Sequence, residues 1–225
     1  TGVVEKAELG GVCLNWGCIP TKSLLKSAQV FEYVSHAADY GVAIEGDVKP
    51  DFKAMVTRSR EVAGNMSKGI QYLFKKNKID HLQGFGQLID NQTVEVKDEK
   101  GKKQKVNAAH IILATGARSR ELPNVKQDGK KIIGYREAMT LDKQPGSMVV
   151  IGSGAIGSEF ASFYNDLGVK VTLVEVVDRI LPVEDEEISA FAHKQFEKQG
   201  MKILTGASVT KLEKSKSNVR ASIKT

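Results

Sequence analysis

At 225 residues and 41% hydrophobic composition, the chain can bury a sizeable core and hold parts of two domains. Its net charge of +6, from 33 basic and 27 acidic side chains, gathers at 97–105 and 211–224 without interleaved aromatic residues, which argues against nucleic acid as a partner. No apolar run approaches the ~20 residues that cross a bilayer, no signal peptide opens the sequence as given, and two cysteines with four scattered histidines suit neither a structural zinc site nor a secreted disulfide scaffold.

In chain order, short strands alternate with long helices. Residues 1–5, Thr-Gly-Val-Val-Glu, read as the end of a strand that closes on a carboxylate. Residues 19 to about 40 carry helical periodicity, with Leu24, Leu25, Ala28 and Phe31 on one side. Asp51 suits the N-cap of a second long helix reaching about 78. Strand-like segments follow at 79–89, 93–96 and 106–114, with a hairpin tip around Gly101. The run Ile111-Ile112-Leu113-Ala114 is expected to form a strand buried on both faces, turning sharply at Thr115-Gly116. From 147 the pattern restarts: an apolar strand at 148–151, a glycine loop, a helix, a strand at 169–175, a helix at 185–199 and strands near 201–204 and 208–212. The expected class is α/β, with two Rossmann-like three-layer nucleotide-binding domains, both incomplete in this chain. With no low-complexity linker, the two parts are expected to pack closely.

The cysteines stand in Gly10-Gly11-Val12-Cys13-Leu14-Asn15-Trp16-Gly17-Cys18-Ile19-Pro20-Thr21-Lys22. A regular helix would set their Cα atoms ~7.5 Å apart along its axis, whereas a disulfide wants them within roughly 7 Å. The segment must therefore bend, or begin its helix irregularly, if the two are to bond. Gly17 supplies backbone freedom, and Pro20 suits a first helical turn. The other reading is two unrelated buried thiols, and the glycine-flanked context speaks against it.

The loop Gly152-Ser153-Gly154-Ala155-Ile156-Gly157 has a strand before it, a helix after it and an acid beyond it, the context a dinucleotide fingerprint requires. Gly152 permits the tight turn, Gly154 lets a pyrophosphate approach the backbone, and Gly157 lets helix pack on strand. Glu175 lies 23 residues after Gly152 and 18 after Gly157, near the ~20 expected for the acid that binds a ribose. A carboxylate there repels a 2′-phosphate and so favours NAD over NADP, with Arg179 nearby as a mild counter-signal. Glu5 ends its strand as Glu175 does, but no strand, glycine loop and helix precede it in this sequence, so about thirty residues of such a unit are expected upstream.

The run Gly-Gly-Val-Cys-Leu-Asn-Trp-Gly-Cys-Ile-Pro-Thr-Lys resembles the active-site motif of the flavin-dependent disulfide oxidoreductases, and within them most resembles the dihydrolipoamide dehydrogenase family. The resemblance extends along the whole chain. It implies FAD and NAD as cofactors, with 1–145 a partial FAD-binding domain carrying the redox disulfide and 146–225 a partial NAD-binding domain. It implies catalytic roles for Cys13, Cys18, Lys22 and Glu159: Cys13 exchanging with a dithiol, Cys18 against the flavin, and Lys22 beside the flavin and paired with Glu159. Along FAD it places Glu5, Lys6, Gly10, Gly11, Val12, Gly86 and the turn Ala114-Thr115-Gly116-Ala117. Along NAD it places Gly152, Gly154, Ala155, Ile156, Gly157, Glu175 and Val209.

The activity so implied is oxidation of protein-bound dihydrolipoamide, with electrons passing through the Cys13–Cys18 disulfide and FAD to NAD. The implied partners are an acyltransferase or carrier protein bearing dihydrolipoamide, a 2-oxo acid dehydrogenase complex, and a second copy forming a homodimer. The location is bacterial cytoplasm or mitochondrial matrix. In this family the base is a His-Glu pair from the partner subunit's C-terminal interface domain, and none of His36, His81, His110 or His193 stands in a matching motif. Two alternatives stay open: a glutathione- or mercuric-reductase-like enzyme of the same family, and a truncated, non-catalytic NAD-binding fragment. Trp16 fits a dithiol entrance or ordinary packing equally.

Overall fold

A computed structural model describes residues 1–123 and 125–225. It divides into two compact units, Thr1–Pro20 with Arg60–Arg118, and Thr21–Ser59 with Ser119–Thr225.

In the first unit, β1 (Gly2–Glu5) pairs in parallel with β2 (Asp80–Gln83), Glu5 standing opposite Gln83. The chain then enters an antiparallel meander of β3 (Phe85–Leu88), β4 (Thr93–Lys97) and β5 (Lys103–Asn107). The segment expected as one strand over 79–89 is thus two, broken at Gly84. The basic tip forms the expected hairpin: Asp98 Oδ1 accepts the amides of Lys100 and Lys102, each at 2.9 Å, and Gly101 takes a φ of 83°. Short α1 (Gly11–Trp16) precedes α2 (Cys18–Ser35), and α3 (Phe52–Lys76) follows, with Asp51 Oδ1 accepting the amide of Ala54 at 2.9 Å as its N-cap. The helix expected to reach 40 stops at Ser35, and a tighter turn covers Ala37–Tyr40.

The expected strand at 106–114 ends instead at Asn107. Ile112 is 90% and Leu113 67% exposed, the reverse of burial on both faces. Apolar character alone does not make a strand; it needs a neighbour to take its amide and carbonyl groups, and among the described residues none pairs with 111–114.

The second unit carries a parallel sheet in the order β6 (Ser147–Ile151), β7 (Lys170–Val174), β8 (Lys202–Leu204), joined by α5 (Ala155–Asp166) and α6 (Glu186–Lys198). Tyr135–Ala138 forms a one-turn α4 between. Val171 and Leu173 of β7 are buried against Phe160, Ala161, Phe163 and Tyr164 of α5, and Leu24, Ala28 and Phe52 join the same core. Phe52, Phe163 and Tyr164 meet with ring centroids 5.0–6.3 Å apart, and the Tyr164 hydroxyl donates to Ala138 O at 2.5 Å. An antiparallel ribbon, β9 (Ser208–Lys214) with β10 (Val219–Lys224), completes the unit. Among the described residues no helix is long and apolar enough to cross a membrane.

Candidate functional site

The cysteine segment is built by a break between two helices. Cys13 lies inside α1, Gly17 interrupts, and Cys18 opens α2, so the two Cα atoms stand 4.7 Å apart and the sulfurs are bonded. The interruption works because Gly17 has no side chain: a Cβ there would stand 3.1 Å from Val12 O and 3.2 Å from the Cα of Cys13. Both cysteines are exposed, as an exchange partner requires. Asn15 between them is buried, its Nδ2 donating to Leu9 O at 2.9 Å and Gly11 O at 3.1 Å. Arg60 of α3, which no sequence signal singled out, donates from Nη2 to Asn15 O at 2.7 Å and lies 4.2 Å from the Trp16 ring centroid. Trp16 Nε1 donates to Glu8 Oε1 at 3.3 Å.

The same unit holds the other residues expected along the first nucleotide. Glu5 ends β1; its Oε1 accepts the amide of Ala7 at 2.8 Å and its carbonyl accepts the amide of Gly84 at 3.0 Å. Gly86 in β3 faces β1 closely, an added Cβ lying 3.1 Å from Val4 Cγ1. Lys6 Nζ sits 5.7 Å above the Phe85 ring. Gly10 and Gly11 lead into Val12 at the start of α1, and Ala114, Thr115, Gly116 and Ala117 lie in an exposed segment outside helix and strand.

In the second unit the glycine loop joins β6 to α5. Gly157 is held to glycine by packing: an added Cβ would fall 1.9 Å from the carbonyl oxygen of Gly152. Nothing lies within 4 Å of a Cβ built on Gly154, the residue that caps α5 without a side chain. Ala155 and Ile156 open α5 as exposed residues at its positive end, with no side chain capping their amides. Glu175, just past β7, is buried, and its Oε2 accepts the Ser153 amide at 2.8 Å and hydroxyl at 2.7 Å. Burial alone would raise this carboxyl, but Ser153 and the amides of Val177 and Val176 outweigh it and hold it below its ordinary value. Ser153 is a residue that the glycine spacing passes over. Its place inside the loop is the only signal of its role.

The two terminal acids sit alike. Glu175 Oε1 accepts the amide of Val177, as Glu5 accepts that of Ala7, and its carbonyl accepts the Ala207 amide at 2.9 Å. Ala207 leads into β9, where Val209 stands opposite Ile223. Lys22 of α2 donates to Glu159 of α5 in an ion pair, which brings together two residues 137 apart in sequence. A surface depression of about 330 Å³ lies elsewhere, lined by Asp178, Arg179 and residues of α6, and holds none of the expected site residues.

The family profile described as pyridine nucleotide-disulphide oxidoreductase matches residues 1–225. The chain belongs to that family. Among its relatives in the pyridine nucleotide-disulphide oxidoreductase family, the dihydrolipoyl dehydrogenase of Rhizobium etli is 49% identical over 100% of this chain and 50% of its own length. That of Zymomonas mobilis is 47% identical over 98% of this chain and 47% of its own. Among solved structures, LpdA from Mycobacterium tuberculosis superposes with a TM-score of 0.91 at 25% identity, over 99% of this chain and 49% of that one. The HOCl-induced flavoprotein disulfide reductase RclA from Escherichia coli gives 0.82 at 27%, over 98% and 47%. The chain spans about half the length of the relatives it matches.

Proposed function

We propose that this chain is part of a dihydrolipoamide dehydrogenase, in which the Cys13–Cys18 pair takes two electrons from a dithiol and passes them through FAD to NAD. The observation that carries the reading is the exposed Cys13–Cys18 bridge, set across a helix break at Gly17, where a side chain would be crowded. The residues present fit a nicotinamide dinucleotide: open space over Gly154, uncapped amides at the head of α5, and the buried Glu175 carboxylate. For the flavin, Glu5 offers its carboxylate at the end of β1 as Glu175 does at the end of β7, with Lys6, Gly10, Gly11, Val12, Gly86 and 114–117 in the same unit.

Held by Glu5, Lys6 and the Gly10–Gly11 loop, FAD would supply an electron acceptor for the reduced pair, and NAD, held at the 152–157 loop and Glu175, would supply the final carrier. The protein's own part is thiol chemistry. A substrate thiolate attacks the Cys13 sulfur, the S–S bond breaks, and Cys18 leaves as a thiolate. Cys18 opens α2, where the helix terminus favours negative charge. The second substrate thiol then displaces Cys13, so the substrate becomes a disulfide and the cysteine pair holds the two electrons. Lys22 keeps a positive charge at Nζ, steadied by Glu159.

The base that prepares the substrate thiolate is assigned, by the resemblance, to a His-Glu pair in the half of the relatives' length that this chain does not span. Of the histidines here, His36, just past α2, pairs with Glu32, His193 pairs with Glu197 within α6, and His81 packs edge-on against Phe74. The whole protein is proposed to work as a homodimer within a 2-oxo acid dehydrogenase complex, in cytoplasm or mitochondrial matrix.

Anaerobic addition of dihydrolipoamide to the full-length protein tests this. Without NAD, two new thiols per chain are expected; with NAD present, the same two electrons should pass on, with one NAD reduced for each dihydrolipoamide oxidised. Cys18→Ser should lose at least ~10³-fold in turnover, in line with loss of a covalent catalytic group. Turnover at the wild-type rate in Cys18→Ser would refute the reading.

A further inference from the structure

The fold brings a cation to the turn between the two cysteines. Asn15 follows Cys13 by two residues and Trp16 precedes Cys18 by two, and Arg60 touches both: its Nη2 lies 2.7 Å from Asn15 O and its Cζ 4.2 Å from the Trp16 ring centroid. The other face of this turn is also fixed. Trp16 Nε1 reaches Glu8, and the buried Asn15 side chain holds the carbonyls of Leu9 and Gly11. Arg60 comes from α3, 45 residues from Asn15, so it is a tertiary tie and not part of the local turn.

A guanidinium keeps its charge at every pH of interest, and its plane suits both an aromatic face and a carbonyl. Asn15 and Trp16 each stand two residues from a cysteine, a span of at most ~7.6 Å between Cα atoms, so the guanidinium is fixed on the turn that carries both sulfurs. Arg60 is partly buried, so its charge is screened less than that of a fully exposed side chain. A fixed positive charge near a thiol favours its thiolate.

We infer that Arg60 is a positioning residue for the Cys13–Cys18 pair: it clamps the turn that sets the two cysteines in bonding register and stabilises the thiolate formed when the bridge opens. This rests on the reading that the pair is redox-active. When a dithiol reduces the bridge, the S–S bond breaks and the pair gains two electrons while the dithiol becomes a disulfide. One of the dithiol's protons goes to one cysteine and the other to solvent, leaving the second cysteine as the thiolate that Arg60 favours. Without the cation, the reduced state is less favourable and the thiolate scarcer.

The test uses the full-length protein, with Arg60→Met, Arg60→Lys and Trp16→Leu. Alkylation of the reduced pair by iodoacetamide across pH reports the thiolate, and equilibration in dithiothreitol buffers reports the redox balance. Arg60→Met is expected to raise the reactive thiol's pKa by about 1 unit and to shift the redox equilibrium ~10-fold towards the disulfide. Arg60→Lys should recover most of the pKa, and Trp16→Leu should shift both readouts in the same direction as Arg60→Met but less. If Arg60→Met matches wild type in both readouts, the inference falls while the proposed function stands. If Arg60→Met does not fold, a wild-type profile in Trp16→Leu overturns the inference instead. A wild-type bridge that accepts no electrons from either dithiol would refute the function, and the inference with it.

Discussion

Gly154 and Gly157 stand three residues apart in one loop, yet the packing around them gives them separate duties. Alanine at 157 would drive a methyl group into the Gly152 carbonyl, a backbone atom that cannot withdraw without undoing the β6–α5 turn. Gly157→Ala is therefore expected to cost about 2 kcal/mol of stability, read from a denaturant midpoint. Gly154 has an ordinary φ of −61° and empty surroundings, so Gly154→Ala should leave that midpoint nearly unchanged. It should instead weaken NAD binding ~10-fold or more, because its methyl stands where a pyrophosphate would approach. Equal loss of stability in both variants would contradict this division. At this scale the sequence was most legible where spacing is local. The glycines and Glu175 follow from their intervals, and Cys13 and Cys18 from the run around them. Arg60 could not be read, because its partners are Asn15 and Trp16, reached only when α3 folds back.

Elements were predictable where their stop signals are chemical and failed where they depend on neighbours. Asp51 announced α3, and Gly101 announced the β4–β5 hairpin. The apolar run at 111–114 looked like a strand, but its strand character depended on a pairing partner that the sequence of the run does not encode. The β9–β10 ribbon illustrates such dependence in another form. Its tip is joined to the 128–132 turn by two reciprocal ties: Lys131 Nζ donates to Ser215 O and Lys216 O at 2.6 and 2.7 Å, and Lys214 Nζ donates to Asp128 Oδ2 at 3.1 Å. Asp128 Oδ1 also accepts the amides of Lys130, Lys131 and Ile132. The amides of Ile132, Lys130 and Lys131, and then Lys214, hold its carboxyl well below the usual range. Asp128→Asn should loosen both sides together, with faster hydrogen exchange at 130–132 and at 215–218 and none of that change in α5. Exchange that quickens only at 130–132 would show the ribbon to be independently held.

Across the whole molecule, stability should vary with pH in a way that the half-buried Asp166 and the buried Glu175 set in opposition. Burial, reinforced by the charge of Glu32, pushes Asp166 at the end of α5 up to about 6 from an ordinary 3.8. The native state therefore holds that proton more tightly than the unfolded chain. Stability falls as pH rises from about 3.8 to about 6, and the loss is complete above that. Glu175 is shifted the other way: its contribution is present above an ordinary 4.5 and is lost as pH falls through its depressed folded value. The chain should thus be most stable near pH 4 and weaker at pH 7, as denaturant midpoints from pH 3 to 8 will show. Asp166→Asn should remove the alkaline decline, exceeding wild type at pH 7 and converging with it near pH 4. Identical profiles in the two proteins would exclude Asp166 as the source.

Cys13 and Cys18 are five residues apart, so their bond encloses a very small loop. Releasing so short a tether frees the unfolded chain by only about 2 kcal/mol in loop-closure entropy, less than half of what a hundred-residue loop would give. Asn15 and its ties anchor the surrounding turn whether the sulfurs are joined or apart. The architecture therefore separates charge storage from structural support: in the proposed cycle the bond would open and close while the helices on either side stay folded.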